Sequence, residues 1–124
     1  MAKFEDLLGQ TLVTVESYRG SSFIYFTTTD SSVYCLYHEQ DCCETVVIDD
    51  IVGDISDLLK SPILLAEEVT DHFVNEGNDS SHTWTFYKLS TIKGSVTIKW
   101  LGTSNGHYSE RVSFKKIYSG HDYK

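Results

Sequence analysis

Proline and methionine each occur once in 124 residues, and cysteine three times. Each scarcity excludes something. With one proline and eight glycines, the chain is neither collagen-like nor a Pro/Gly low-complexity segment. Three thiols cannot all pair internally. That argues for reduced cysteines or metal ligands rather than a disulfide framework, and so for a cytoplasmic setting. No run of eighteen apolar residues is present, so no membrane-crossing helix is expected. The opening MAKFEDLLGQ carries Glu5 and Asp6 and lacks the long apolar core of a secretory signal. Glycine-rich phosphate loops, zinc-protease helices and nucleophile elbows are missing as well.

Basic side chains are scarce over most of the chain. Between Asp30 and Asp79 only Lys60 is basic. Residues 1–79 hold sixteen Asp/Glu against three Lys/Arg, a balance of −13. Residues 80–124 hold two against seven, a balance of +5. An acidic stretch of this length repels a nucleic-acid backbone. It attracts a basic protein and speeds the encounter. The plain alternative is that the acids only solvate the surface.

What remains is an ordinary globular composition, and 124 residues suit a single domain, 1–124, able to bury a core without a staple. Most of it reads as strands. Leu12–Val15, Phe23–Thr29 and Val33–His38 are β-branched and aromatic runs separated by turn residues, which predicts hairpins. Glu44–Asp49 reads as a fourth strand and Ile63–Val74 as a long bent one. Val96, Ile98 and Trp100 alternate with Thr97 and Lys99, the half-buried strand pattern. His82–Leu89, Ser95–Leu101 and Tyr108–Tyr118 complete the strands, with Asn105-Gly106 as a hairpin signal. Asp54–Lys60 reads as a short helix, capped by Asp54 and stopped by Pro62, and Asn75–Ser81 as a polar loop. The expected class is α+β: a β-rich, largely antiparallel sheet with one or two short helices.

The chemistry concentrates in YHEQDCCETVVIDD, Tyr37 to Asp50, with one histidine, two adjacent cysteines and five carboxylates. His38, Asp41, Cys42 and Cys43 are ligand types that zinc accepts, so a structural zinc is one expectation. Cys35 should face the opposite side of its strand from His38 and reads as a small buried residue. A catalytic thiol, with His38 as base for Cys42 or Cys43, is the rival. The surrounding acids oppose it by disfavouring a thiolate. Glu39, Glu44, Asp49, Asp50, Asp54 and Asp57 form the expected acidic, partner-binding face. Asp54 and Asp57 also read simply as a helix cap and a first-turn acid. His72, His82 and His107 are isolated, and His121 sits in a polar tail. Trp84, Phe86, Tyr87 and Trp100 lie among basic residues, a combination known from single-strand nucleic-acid binders, but they read more economically as core.

GQTLVTVES, YHEQDCCETVVIDDIVGDISDLLKSPIL and HTWTFYKLSTIKGSVTIKWLGTSNGHYSERVSF together resemble a family of small phage-encoded proteins of unknown function. The resemblance carries over no catalytic residue. It implies action in the bacterial host cytoplasm, where small acidic phage proteins often inhibit host defence. The implied function is that of a non-enzymatic inhibitor, an anti-CRISPR protein that binds Cas9 through an acidic face, with a structural zinc. Cas9 holds its nucleic acids in positively charged channels, which fits such a face. A zinc- or thiol-dependent hydrolase and a phage accessory or assembly protein are the alternatives.

Overall fold

The computed structural model describes residues 2–17, 20–74, 80–106 and 108–118. Eight strands form two four-stranded antiparallel sheets. The first sheet contains β1 (Leu12–Glu16), β2 (Phe23–Thr28), β3 (Val33–Tyr37) and β8 (Ser113–Tyr118), in the spatial order β1-β2-β3-β8. The second contains β4 (Thr45–Val52), β5 (Leu65–Val74), β6 (Ser81–Thr91) and β7 (Gly94–Ser104), in the order β4-β7-β6-β5. The β-rich, antiparallel expectation is met.

The helical part is corrected. Among the described residues the only helical pieces are two single 3-10 turns, Phe4–Leu7 and Ile55–Leu58. Asp54 does cap the second, its carboxylate accepting the Ser56 N–H at 3.0 Å. The turn stops after four residues because Leu58 is drawn fully into the core and Leu59 bridges to Leu12 of β1. Docking of so short a segment overrides its weak preference to propagate as an α-helix. The predicted loop at residues 75–79 lies outside the described residues, and Ser81 already opens β6.

Each sheet turns one face inward. Ile24, Phe26, Tyr34, Leu36 and Phe114 from the first meet Val46, Ile48, Tyr87, Leu89, Val96, Ile98 and Trp100 from the second in one core. Phe4 lies between the sheets, its ring 4.7 Å from Tyr87 and 5.5 Å from Phe114. The period-2 pattern divides the aromatics of β6 and β7. Tyr87 and Trp100 point inward and are buried. Trp84 and Phe86 lie on the outer face, half-buried, with the Lys99 ammonium 5.6 Å from the Trp84 ring centre. Two of the four aromatics expected in the core are therefore surface residues.

Along one side the sheets are tied together. The Gly20 N–H donates to the Ile48 carbonyl and the Ile48 N–H to the Ser21 carbonyl, each at 2.8 Å. The opposite edge of the second sheet is β5, and among the described residues no strand pairs with its outer side.

Trp100 is the largest fully buried side chain, and its indole nitrogen has no partner among the described residues. Its contribution is therefore packing. Trp100→Ala should lower stability by about 3–5 kcal/mol, read as an earlier midpoint in urea with unchanged slope.

Candidate functional site

The loop joining β3 to β4, residues 38–44, is organised around one carboxylate. The Glu44 side chain is fully enclosed. One oxygen, Oε2, accepts from His38 Nε2 at 2.7 Å and from the Asp41 N–H at 2.8 Å. The other, Oε1, accepts from the Cys42 N–H at 2.9 Å. Gln40 closes the turn by donating to the Glu44 carbonyl at 2.7 Å. The His38 hydrogen bond, followed by those of the Cys42 and Asp41 amides, lowers the Glu44 carboxyl to about 2.

The other His38 nitrogen, Nδ1, lies 2.7 Å from the Arg111 carbonyl. Both partners of the ring are acceptors, so only the doubly protonated imidazole satisfies both. His38 thereby pins the loop to the segment leading into β8.

This arrangement does not fit zinc. Both His38 nitrogens are already engaged, one by the Arg111 carbonyl and one by the Glu44 carboxylate. Cys42 and Cys43 are exposed. Among the described residues no three His, Cys, Asp or Glu side chains converge as a metal-holding group. The same hydrogen bonds keep His38 from acting as a base toward either cysteine. The Cys43 thiol is pushed up by its hydrogen bond to Cys42 and by the charges of Cys42 and Glu44, which favours the unreactive protonated form. Cys35 is buried at 3% exposure, where burial raises its thiol.

The residues expected to make one acidic face are distributed along the whole of β4. Glu39 is exposed in the loop at one end, and Glu44 is interior. Asp49 stands at the register shift between Ile48 and Asp50. Asp50 pairs in register with Lys99 and accepts the Ile51 N–H. Asp54 and Asp57 lie past the far end, Asp54 as cap and Asp57 against the Gly94 turn. An eight-residue strand separates these ends by roughly 26 Å.

A denser acidic feature is β5. Nine of its ten residues are exposed, none is Lys or Arg, and Glu67, Glu68 and Asp71 alternate with the exposed apolar side chains Leu65, Val69, Phe73 and Val74. The strand reads in sequence as apolar with interspersed acids, but that pattern alone does not show it to be an edge.

Beside β5 lies a cleft of about 420 Å³. Its floor is Glu110, whose side chain is 4% exposed. The carboxylate accepts from Ser81, from Thr83 at 2.6 Å and from Ser104 at 2.5 Å. Burial opposes its charge. The Ser104, Ser81 and Thr83 hydroxyls outweigh that and hold the carboxyl below its usual range. The glycine at position 102 makes room for it, because a Cβ there would stand 2.7 Å from the Glu110 Cβ. On the β5 side, His72 Nδ1 lies 2.7 Å from the Thr83 hydroxyl. The sequence reading missed Glu110. The signals were a hydroxyl row at Ser81, Thr83 and Thr85, a glycine inside a strand, and an acid within a basic segment.

Residues 5–114 match the model of a domain of unknown function, DUF7448. No curated protein and no solved structure gives a significant match. No described helix is long and apolar enough to cross a membrane.

Two expectations follow. Glu44 is held below the usual carboxylate range, so its contribution is complete above that range and is lost as pH falls toward 2. The Asp41 and Cys42 amides should therefore be strongly protected from hydrogen exchange at neutral pH, and their protection relative to the intrinsic exchange rate should fall in acid. Glu44→Gln should exchange on the order of tenfold faster at neutral pH. Elemental analysis of untagged protein should find far less than one zinc per chain, unchanged in His38→Ala/Cys42→Ala. Stoichiometric zinc that the double variant loses would mean that the loop rearranges around metal.

Proposed function

We propose that this chain, which belongs to the DUF7448 family, is a non-enzymatic binding protein that docks on a basic protein partner along the free edge of β5. The observation that carries this reading is β5 itself. It is an exposed ten-residue edge strand bearing three carboxylates and no cation. An edge strand offers unpaired N–H and C=O groups to an incoming strand, and its side chains decide which strand is accepted. Here the acids favour a basic segment, and Leu65, Val69 and Phe73 supply apolar contact on one face.

The resemblance to small phage proteins gives this reading its specific form, an inhibitor of a bacterial defence protein, with Cas9 as the first target to test. Docking of this kind is stoichiometric and needs no metal. The hydrolase alternative has less support, because His38 spends both ring nitrogens on structure. Self-assembly through the same edge is the competing outcome.

The test is DNA cleavage by Cas9 with increasing protein. Inhibition should saturate at about one equivalent and weaken with salt, as expected for docking between opposite charges. Glu67→Gln/Glu68→Gln/Asp71→Asn should lose it by about tenfold or more. Full cleavage in excess protein would remove Cas9 as the partner. Inhibition unchanged in the triple variant would remove β5 as the docking edge.

A further inference from the structure

The cleft between β5 and residues 108–112 contains a histidine whose tautomer is dictated by a buried charge. Thr83 has a single hydroxyl proton and gives it to Glu110. Its oxygen can then only accept from His72 Nδ1. In the neutral form of the ring, Nδ1 then carries the proton and Nε2 the lone pair. That atom makes no hydrogen bond within the described residues, and the side chain is 54% exposed. Carboxylate, hydroxyl and imidazole act here as an orienting relay, as a carboxylate or carbonyl bonded to the far nitrogen does for histidines at functional sites.

Three β5 side chains at period 2, Glu68, Thr70 and His72, line the same cleft. Glu68 accepts the Tyr87 hydroxyl at 3.1 Å with one oxygen, and its other oxygen makes no hydrogen bond among the described residues. The row presents acceptors: a carboxylate oxygen, a hydroxyl oxygen and an imidazole lone pair. The ionised Glu110 beneath adds negative potential. Among the described residues Arg111 is the one Lys or Arg lining the cleft, against the two carboxylates of Glu68 and Glu110.

We propose that this cleft is an anchor pocket for the guanidinium group of an arginine side chain carried by the partner segment that docks on β5, with His72 Nε2 and Glu68 as its acceptors. The proposal rests on the docking reading above and names the partner's anchoring residue. A planar guanidinium offers five N–H donors in a fixed fork, suited to acceptors spaced along a strand, whereas an ammonium is a compact point charge.

Capped single residues test the pocket without any strand addition. N-acetyl-arginine amide is titrated into the full chain while the His72 ring nitrogens and the Tyr108 amide are followed by NMR. Saturable shifts are expected, about tenfold weaker for N-acetyl-lysine amide and absent for the neutral N-acetyl-citrulline amide. His72→Phe and Glu68→Gln should each weaken arginine binding by about tenfold, and Glu39→Gln should leave it unchanged. Long-range proton–nitrogen spectra should place the neutral-ring proton on Nδ1, and Thr83→Val should release that preference in a folded protein. Equal response to citrulline, no saturable response to arginine, or an unchanged tautomer in Thr83→Val would overturn the proposal. A basic partner that still binds and still depends on Glu67, Glu68 and Asp71 would then leave the docking edge intact and remove only its anchor.

Discussion

β6 and β7 pair without interruption from Ser81 opposite Ser104 to Thr91 opposite Gly94, and this register decides what reaches the interior. Because side chains alternate strictly, one choice of face commits both strands over eleven residues. Their inward face has two chemically different halves. Tyr87, Leu89, Val96, Ile98 and Trp100 make the wall of the core. Ser81, Thr83, Gly102 and Ser104 make a polar floor that apolar packing cannot cover. The polar half has to be covered by something that accepts hydrogen bonds, and Glu110 does so. The cleft is thus a consequence of the same pairing that builds the core, displaced a few residues along it.

Two buried carboxylates solve related problems at different places. Glu44 gathers two loop amides and an imidazole, and Glu110 gathers three hydroxyls. Each is stable as an anion because donors replace the water it loses. The two are linked through a short stretch of chain. Arg111, next to Glu110, offers the carbonyl that holds His38, and His38 holds Glu44. The segment 108–112 is therefore fastened at two adjacent residues, Glu110 to the β6–β7 floor and Arg111 to the 38–44 loop. It forms a fixed wall for the cleft.

Much of the strand content was legible because it rests on period-2 alternation, which is local. The runs at Phe23, Val33, His82 and Ser95 fall on β2, β3, β6 and β7. Pairing order was not legible. Nothing local says that β4 lies beside β7, or that β5 is an edge. For that reason the acids of residues 39–57 looked like one face and are instead spread along a strand. The HEQDCC stretch suggested metal from ligand types alone. The geometry depends on Glu44 and on the Arg111 carbonyl, 73 positions away from His38, a backbone group that no side-chain pattern can reveal. Glu110 was hidden for the same reason, since its hydroxyl partners come from two other strands.

The acids of β5 bear on what can add to its edge. A long exposed strand with Leu65, Val69 and Phe73 on one face is a template for self-pairing. Consider a second copy aligned antiparallel. Centred on Val69, the pairing places Glu67 opposite Asp71 of the second copy. Shifted by one residue, it places Glu68 opposite Asp71 instead. Like charges directly opposite on paired strands are destabilising. The central self-pairing registers are thus penalised, while a basic strand of another protein meets attraction at the same positions. The carboxylates that keep the edge from its own copy are the ones that would select a partner, so solubility and specificity draw on the same three side chains.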